Sequence, residues 1–403
     1  MPVLSVASLP TPASAPPQPR SRGVAAAAPT HGIVFRGAIY GGSGYADGNQ
    51  DILRGLEAHD LPVQLAPIGL QQDLGGLLGA GRQRQLAALQ QRRFDLSRSV
   101  FYQSCPPSDF ELQLDAKVRI GRAAFETDTL PGGWAARCNQ LDQIWVPSQF
   151  NGETFARGGA DPRRLRVLPE GVDTSRFRPG LTPLPLPQRR GFNFLSIFDW
   201  IDRKGPDVLL RAYLRAFTSG DDVALILKTF KFDEPDAALQ DRLIHFIERE
   251  AGVPLEKAPL ILLVQGLLPA ADMPRLYAAA DAFVLPSRGE GWGRPYMEAA
   301  ACQVAVVATR WSGHLDFLHD ENSYLIDIEG VQPAPRTSDR DIYIGQGWAE
   351  PSVEHLAELM RQIVQNRQIA RQRARRARRE MVERWDTRVI AKMWAQAFQE
   401  LLA

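Results

Sequence analysis

The stretch Pro286-Ser-Arg-Gly-Glu-Gly-Trp-Gly-Arg-Pro-Tyr-Met-Glu298 decides how this chain is read. Just before it, Ala282-Phe-Val-Leu285 is a short apolar run of the kind that forms a buried strand. Gly289, Gly291 and Gly293 then permit a tight turn with close backbone approach, and Pro295 suits the first position of a helix. Strand, glycine turn and helix start, in that order, leave unpaired N–H groups and a positive dipole end at the turn, which is a natural seat for a diphosphate. Two carboxylates bracket the turn. Glu290 falls in the loop, beside the leaving-group end of such a ligand, and Glu298 falls about one turn into the helix, where it could accept hydrogen bonds from ribose hydroxyls.

Outward from this motif the chain alternates strand and helix, which specifies an α/β fold. Ile33-Val-Phe35 opens a βαβ unit: the turn Gly41-Gly-Ser-Gly44, a helix over Tyr45 to His59, and a strand over Val63 to Pro67. The turn lacks a full Gly-x-Gly-x-x-Gly fingerprint and its acidic partner, so a nicotinamide dehydrogenase is not favoured. Strands are expected at Val100 to Tyr102, Val118 to Phe125, Gln143 to Val146 and Val167 to Leu168, with a helix from Phe150 to Arg157. A proline-rich linker, residues 179–190, separates this first lobe (31–178) from a second (191–385). There, strands at Phe194 to Phe198, Val223 to Lys228, Ile261 to Gln265 and Phe283 to Leu285 alternate with helices at Asp207 to Phe217 and Ala237 to Glu250. Two facing, doubly wound lobes put the ligand site in the cleft beyond the carboxyl ends of their strands.

The chain resembles the retaining GT-B glycosyltransferases of family 4, whose Glu-x7-Glu signature matches Glu290 and Glu298. The resemblance covers nearly everything after residue 30, in the family's order: the Gly41-Gly-Ser-Gly44 loop, Val146-Pro-Ser148, the hinge run Val167-Leu-Pro-Glu-Gly-Val-Asp173, the basic turn Asp202-Arg-Lys-Gly205, and Ala280-Asp281 leading into the carboxylate motif. It implies two Rossmann-like domains and a C-terminal helix, residues 386–403, crossing back to the first. It also implies transfer of a hexose-type sugar from a nucleotide-diphosphate sugar to a hydroxyl of a glycan, glycolipid or other acceptor. Configuration would be retained by front-face attack, with the leaving diphosphate helping to deprotonate the hydroxyl. A non-catalytic sugar-nucleotide or glycan-binding protein, or a sugar-nucleotide epimerase, is the alternative.

Departure of a diphosphate needs cations that stabilise the developing charge. Arg203 and Lys204, in a turn after a second-lobe strand, are the expected pair, one a bidentate fork and the other a point charge. No metal cofactor is then expected, and the only Asp-x-Asp triplet, Asp339-Arg-Asp341, reads as a solvated loop. Glu290 and Glu126 complete the expected catalytic set. Glu298, Gly291, Trp292, Gly293, Lys228, Gly41, Gly42 and Gly44 are the expected donor-binding set. Two departures from the family stand out. Phe198 replaces a second arginine, for which Lys228 could compensate, and no His lies between His59 and His245, leaving Glu126-Thr-Asp128 as the candidate for the first-lobe role. His314 reads as a surface histidine.

Composition bounds the partners. With 44% hydrophobic and 23% charged residues and a net charge of +1, the chain has the profile of a soluble globular protein with no global field for nucleic acid. Residues 1–30, rich in Pro and Ala, read as a disordered tail rather than a signal peptide. Three scattered cysteines, Cys105, Cys138 and Cys302, suit a reducing cytoplasm, and no apolar run is long enough for a membrane span. An arginine-crowded helix, Arg361 to Arg384, reads as a solvated face, with peripheral contact to an anionic membrane as its other reading.

Overall fold

The structure is a computed structural model that describes residues 3–6, 30–70, 78–230, 236–266, 268–335 and 341–403. Two wholly parallel sheets form its two lobes. In the first, six strands run in the order Val63–Pro67, Ile33–Gly37, Val100–Ser104, Val118–Arg122, Gln143–Val146, Leu165–Val167. In the second, seven strands run Val3–Val6, Leu260–Val264, Val223–Phe230, Phe192–Asp199, Ala282–Leu285, Ala305–Thr309, Tyr324–Ile326. Strands buried on both faces read as unbroken apolar runs, as Leu260-Ile-Leu-Leu-Val264 and Ala224-Leu-Ile-Leu227 do.

In the second sheet the order reverses beside Phe192–Asp199: later strands add on one side through Val223–Phe230 and on the other through Ala282–Leu285. A crevice opens at such a switch point because the two flanking connections leave on opposite faces of the sheet. The turn Asp202–Lys204 follows one of these strands and the glycine motif follows the other. Both halves of the expected donor site therefore arise from one topological feature.

The helix Thr387–Leu402 packs on the first lobe, where Ile390, Trp394 and Phe398 share a core with Tyr102 and Trp145. The Trp394 indole N–H donates to the Pro169 carbonyl at 2.8 Å. The linker is packed rather than loose, since Leu184 and Leu186 are buried in the second-lobe core.

Several expectations change. Val3–Val6, in the stretch read as a disordered tail, is an edge strand paired with Leu260–Val264; the rest of the tail up to residue 29 lies outside the described residues. The strand from Val118 ends at Arg122 rather than Phe125, because residues 123–126 leave the sheet to meet the second lobe. The arginine-rich helix is two helices, Val353–Gln365 and Arg367–Arg384, broken at Asn366. An antiparallel hairpin, Ile328–Pro333 with Gly347–Pro351, stands apart from both sheets and had no counterpart in the sequence reading.

Candidate active site

The first-lobe wall of the cleft is set by residues that pin the backbone after Arg122. The Ala124 N–H donates to the Tyr45 hydroxyl at 3.1 Å, the Phe125 N–H donates to Asn151 Oδ1 at 3.3 Å, and Thr154 Oγ1 donates to the Thr127 carbonyl at 3.1 Å. These bonds hold the intervening Glu126 toward the second lobe. On the opposite wall, Gly205 has φ of 66°, and a Cβ there would collide with the Pro286 carbonyl, so glycine is what lets the basic turn lie against the motif loop. A Cβ at Gly289 would collide with the Glu126 carbonyl in the same way. The lobes meet across these glycines, and the Ser148 hydroxyl donates to the Gly291 carbonyl at 2.8 Å.

Between the walls lies a buried charge cluster. Lys204 Nζ is 2.5 Å from Glu290 Oε1, Arg203 Nη1 is 3.4 Å from Glu290 Oε2, and Arg203 Nη2 is 3.5 Å from Glu126 Oε1. All four residues expected to be catalytic come together here. Burial works to raise the Glu290 pKa, but Lys204 and Arg203 outweigh it and hold the carboxyl at about 2. Burial also opposes charge on Lys204 and lowers its pKa, with Glu290 pulling the other way. On Arg203, Glu126, Tyr343 and Glu290 overcome burial and raise the pKa, so its guanidinium is a permanent cation. Arg203 and Glu290 are buried and Lys204 and Glu126 partly so, and an incoming anion meets a strong local field there.

The donor-binding set divides. Glu298, in the helix Arg294–Ala301, accepts a hydrogen bond from the Tyr277 hydroxyl at 2.8 Å, and its carboxyl is pushed up to about 7 by burial against the opposing pull of Arg294. Gly291 and Gly293 lie in the wall itself, Gly293 at φ of 100° as the residue before the helix. Trp292 is corrected: its indole is buried against Phe317 and Trp385 and donates to Met297 Sδ at 3.0 Å, leaving only its backbone for the cleft. Gly42 and Gly44 are exposed and Gly41 partly buried at the start of the helix Gly44–Ala58, whose N-cap is Ser43. Lys228 donates to the Gly266 carbonyl at 2.6 Å. In register it sits beside Ile197, and therefore on the opposite face from Phe198, so a direct exchange of charge between those two positions does not follow from the sheet. Of the Asp-x-Asp triplet, Asp341 begins a short turn, while Asp339 lies outside the described residues.

Other residues of the cleft were missed. Arg294, inside the quoted motif, reaches Glu170 at 2.9 Å and Asp51 at 2.6 Å, while Glu170 also pairs with buried Arg122, so one network joins the motif helix, the hinge run and the first lobe. A conspicuous arginine one residue beyond the glycine turn, with an acid in the hinge, was the available signal. His314 is not a surface residue: it is fully buried, its Nε2 lies 2.6 Å from the Thr309 carbonyl, its Nδ1 has no partner among the described residues, and burial lowers its pKa to about 4. Tyr343 carried no signal at all, because it arrives on the unforeseen hairpin.

On the arginine-rich helix, Arg373, Arg376 and Arg378 bond Ser323, Glu321, Glu380 and the backbone of Thr174, Phe177 and Ala301, whereas Arg371, Arg375 and Arg379 form an exposed stripe without ion pairs among the described residues. No described helix is long and apolar enough to cross a membrane.

Two facing Rossmann-like lobes with this cleft define the GT-B architecture. Over 91% of its length the chain superimposes on Anabaena HepE, solved with UDP and glucose, with TM-score 0.63, 18% identity and 99% of that chain covered. The sucrose-phosphate synthase of Thermosynechococcus elongatus gives the same TM-score, 0.63, over 92% of this chain and 98% of that one at 15% identity. Residues 192–333 match the family model described as Glycosyl transferases group 1. It is 31% identical over 194 residues to a D-inositol 3-phosphate glycosyltransferase of Salinispora arenicola, 45% of this chain and 42% of that protein. It is 27% identical over 238 residues to a GDP-mannose-dependent alpha-(1-6)-phosphatidylinositol monomannoside mannosyltransferase of Mycolicibacterium smegmatis, 52% of this chain and 58% of that protein. The chain thus matches about half the length of these curated relatives.

Proposed function

We propose that the protein is a glycosyltransferase that moves a hexose-type sugar from a nucleotide-diphosphate sugar to a hydroxyl of a glycan, glycolipid or other acceptor. The observation that carries this reading is the buried meeting of Arg203, Lys204, Glu290 and Glu126 at the switch point between the lobes. Lys204 and Arg203 take the diphosphate, whose oxygens displace Glu290 from the ammonium and leave its carboxylate for sugar hydroxyls. As the bond from C1 to the diphosphate oxygen breaks, these cations stabilise charge that is larger in the transition state than in the ground state. The acceptor hydroxyl attacks C1 from the same face, its proton passes to a leaving diphosphate oxygen, and configuration is retained. Positive charge from side chains makes the reaction metal-independent in this proposal. Because Gly289 and Gly291 abut residues 124–126, donor entry needs the lobes to part.

A thermal-shift screen against UDP, GDP and ADP sugars tests the reading, since a ligand that binds the folded state raises its apparent stability. One base is expected to stand out, and turnover of that donor is expected to survive EDTA. No shift with any of them removes the donor site. Loss on chelation with recovery in Mg²⁺ or Mn²⁺ refutes the metal-free mechanism.

A further inference from the structure

The hairpin Ile328–Pro333 with Gly347–Pro351 leaves the end of the strand Tyr324–Ile326, so it rises from the same carboxyl edge of the sheet that bears the site. Its base is clamped to the second lobe: Arg288 forms paired bonds to Glu350 at 2.7 and 2.9 Å and to Asp207 at 2.9 and 2.8 Å. Its far side is seated on the first lobe. The Gly347 N–H donates to Asp128 Oδ1 at 2.7 Å, the Asp128 N–H donates to the Gly347 carbonyl at 2.8 Å, and Ala334, Tyr343 and Trp348 are buried in one cluster with Phe125, Leu130 and Trp134. The segment therefore bridges both lobes directly over the charge cluster.

Tyr343 is the residue that enters the cluster. Its ring stacks on Phe125 at 5.6 Å and packs against Trp348 at 5.7 Å, which fixes where the hydroxyl lies. That hydroxyl accepts from Arg203 Nε at 3.1 Å and donates to Glu126 Oε2 at 3.0 Å. One oxygen thus satisfies a buried cation and a partly buried carboxylate on opposite walls, a relay in which each bond polarises the other. Long arginine side chains lose rotamer freedom when they are placed, and an Arg203 already held along its Nε edge has less left to lose as charge develops beside it.

We propose that Tyr343 is a positioning residue, delivered by the bridging hairpin, that orients Arg203 toward the departing diphosphate when the lobes are closed. This rests on the glycosyltransferase reading above. Phenylalanine at the position keeps the ring stack and deletes only the relay.

Release of nucleoside diphosphate from UDP-glucose, GDP-mannose and ADP-glucose, followed in wild type, Tyr343→Phe, Asp128→Ala and the double variant, tests it, with calorimetric titration of UDP, GDP and ADP alongside. Loss of a charge-assisted hydrogen bond predicts that kcat falls about tenfold or more in Tyr343→Phe while KM and nucleotide affinity stay within about threefold. Asp128→Ala, which unseats the hairpin from the first lobe, lowers kcat similarly, and the double variant is no worse than the poorer single one, because both changes remove the same constraint. Additive losses, or a Tyr343→Phe enzyme with wild-type kcat, overturn the proposal. So does a Tyr343→Phe enzyme that binds nucleotide more tightly and turns over faster, which would make the relay a latch holding Arg203 away from the donor. Should Tyr343→Phe fail to fold, Asp128→Ala carries the same comparison. Wild-type protein that binds none of the nucleotides and releases nothing overturns the glycosyltransferase reading and this proposal with it, a result separate from a variant that equals an active wild type.

Discussion

Glu298→Gln is expected to move nucleotide affinity and protein stability in opposite directions. The Glu298 carboxyl is held near about 7 against an ordinary 4.5, burial being the main cause. With that pKa only about a tenth of the protein is ionised there at pH 6, and nearly all of it at pH 8. If the carboxylate accepts the ribose hydroxyls, wild-type affinity is full above pH 8 and weakens by about tenfold for each unit below 7, whereas Gln does not titrate. At pH 8 the substitution itself is expected to cost about 1.5 to 3 kcal/mol of binding, the worth of a hydrogen bond to a charged group. Stability runs the other way. A carboxyl whose folded pKa is raised favours the fold in its protonated form, and that contribution, complete below about 4.5, is lost as pH rises through about 7. Gln keeps an oxygen for the Tyr277 hydroxyl and never ionises, so at pH 8 it is more stable than wild type by on the order of 2 to 3 kcal/mol, and at pH 4 by nothing. Calorimetric titration of UDP, GDP or ADP from pH 5.5 to 8.5 is read as the ratio of wild-type to variant affinity, which cancels titration of the nucleotide's own phosphate, and melting curves extend the series down to pH 4. A ratio that is flat with pH, or a folded variant with wild-type affinity at pH 8, refutes the ribose assignment.

Two further outcomes are expected. Lys204→Ala should lower kcat by roughly 100- to 1,000-fold, the cost of losing a donor aimed at developing charge, and at least as much as it weakens binding; a solvated lysine would cost less than about 0.5 kcal/mol, so near-normal turnover in steady-state assays would show the diphosphate seat to be elsewhere. A solvated face at Arg371, Arg375 and Arg379 predicts that wild type does not sediment with phosphatidylserine vesicles at low salt; sedimentation that charge reversal of the three abolishes, with turnover of a soluble donor unchanged, would establish the membrane reading instead.

Elements made of contiguous apolar runs were legible. Val63–Pro67 and Gln143–Val146 fall at their expected limits, and the helices Gly44–Ala58 and Thr387–Leu402 begin or end within a residue or so of theirs. So were Arg203, Lys204 and Glu290, because a turn and a glycine loop that each follow a strand of one sheet must meet at its carboxyl edge. Trp292 was misread for a local reason: its motif says where the backbone goes, not into which core an indole turns. His314 was misread because nothing nearby in sequence announces the Tyr296 ring that covers it.

The sequence by itself determined the two-lobed α/β class and the place of the cleft, since periodicity and glycine geometry are properties of neighbouring residues, and the resemblance of its basic turn pointed to the cations within it. Only the tertiary structure decided what holds those cations. Glu126 and Arg203 are joined through Tyr343, and Arg294 through Glu170 to Arg122, by contacts between residues more than a hundred positions apart in some pairs and supplied by both lobes. A buried charge must find its partner wherever the chain brings one, and that choice is made by packing, not by spacing.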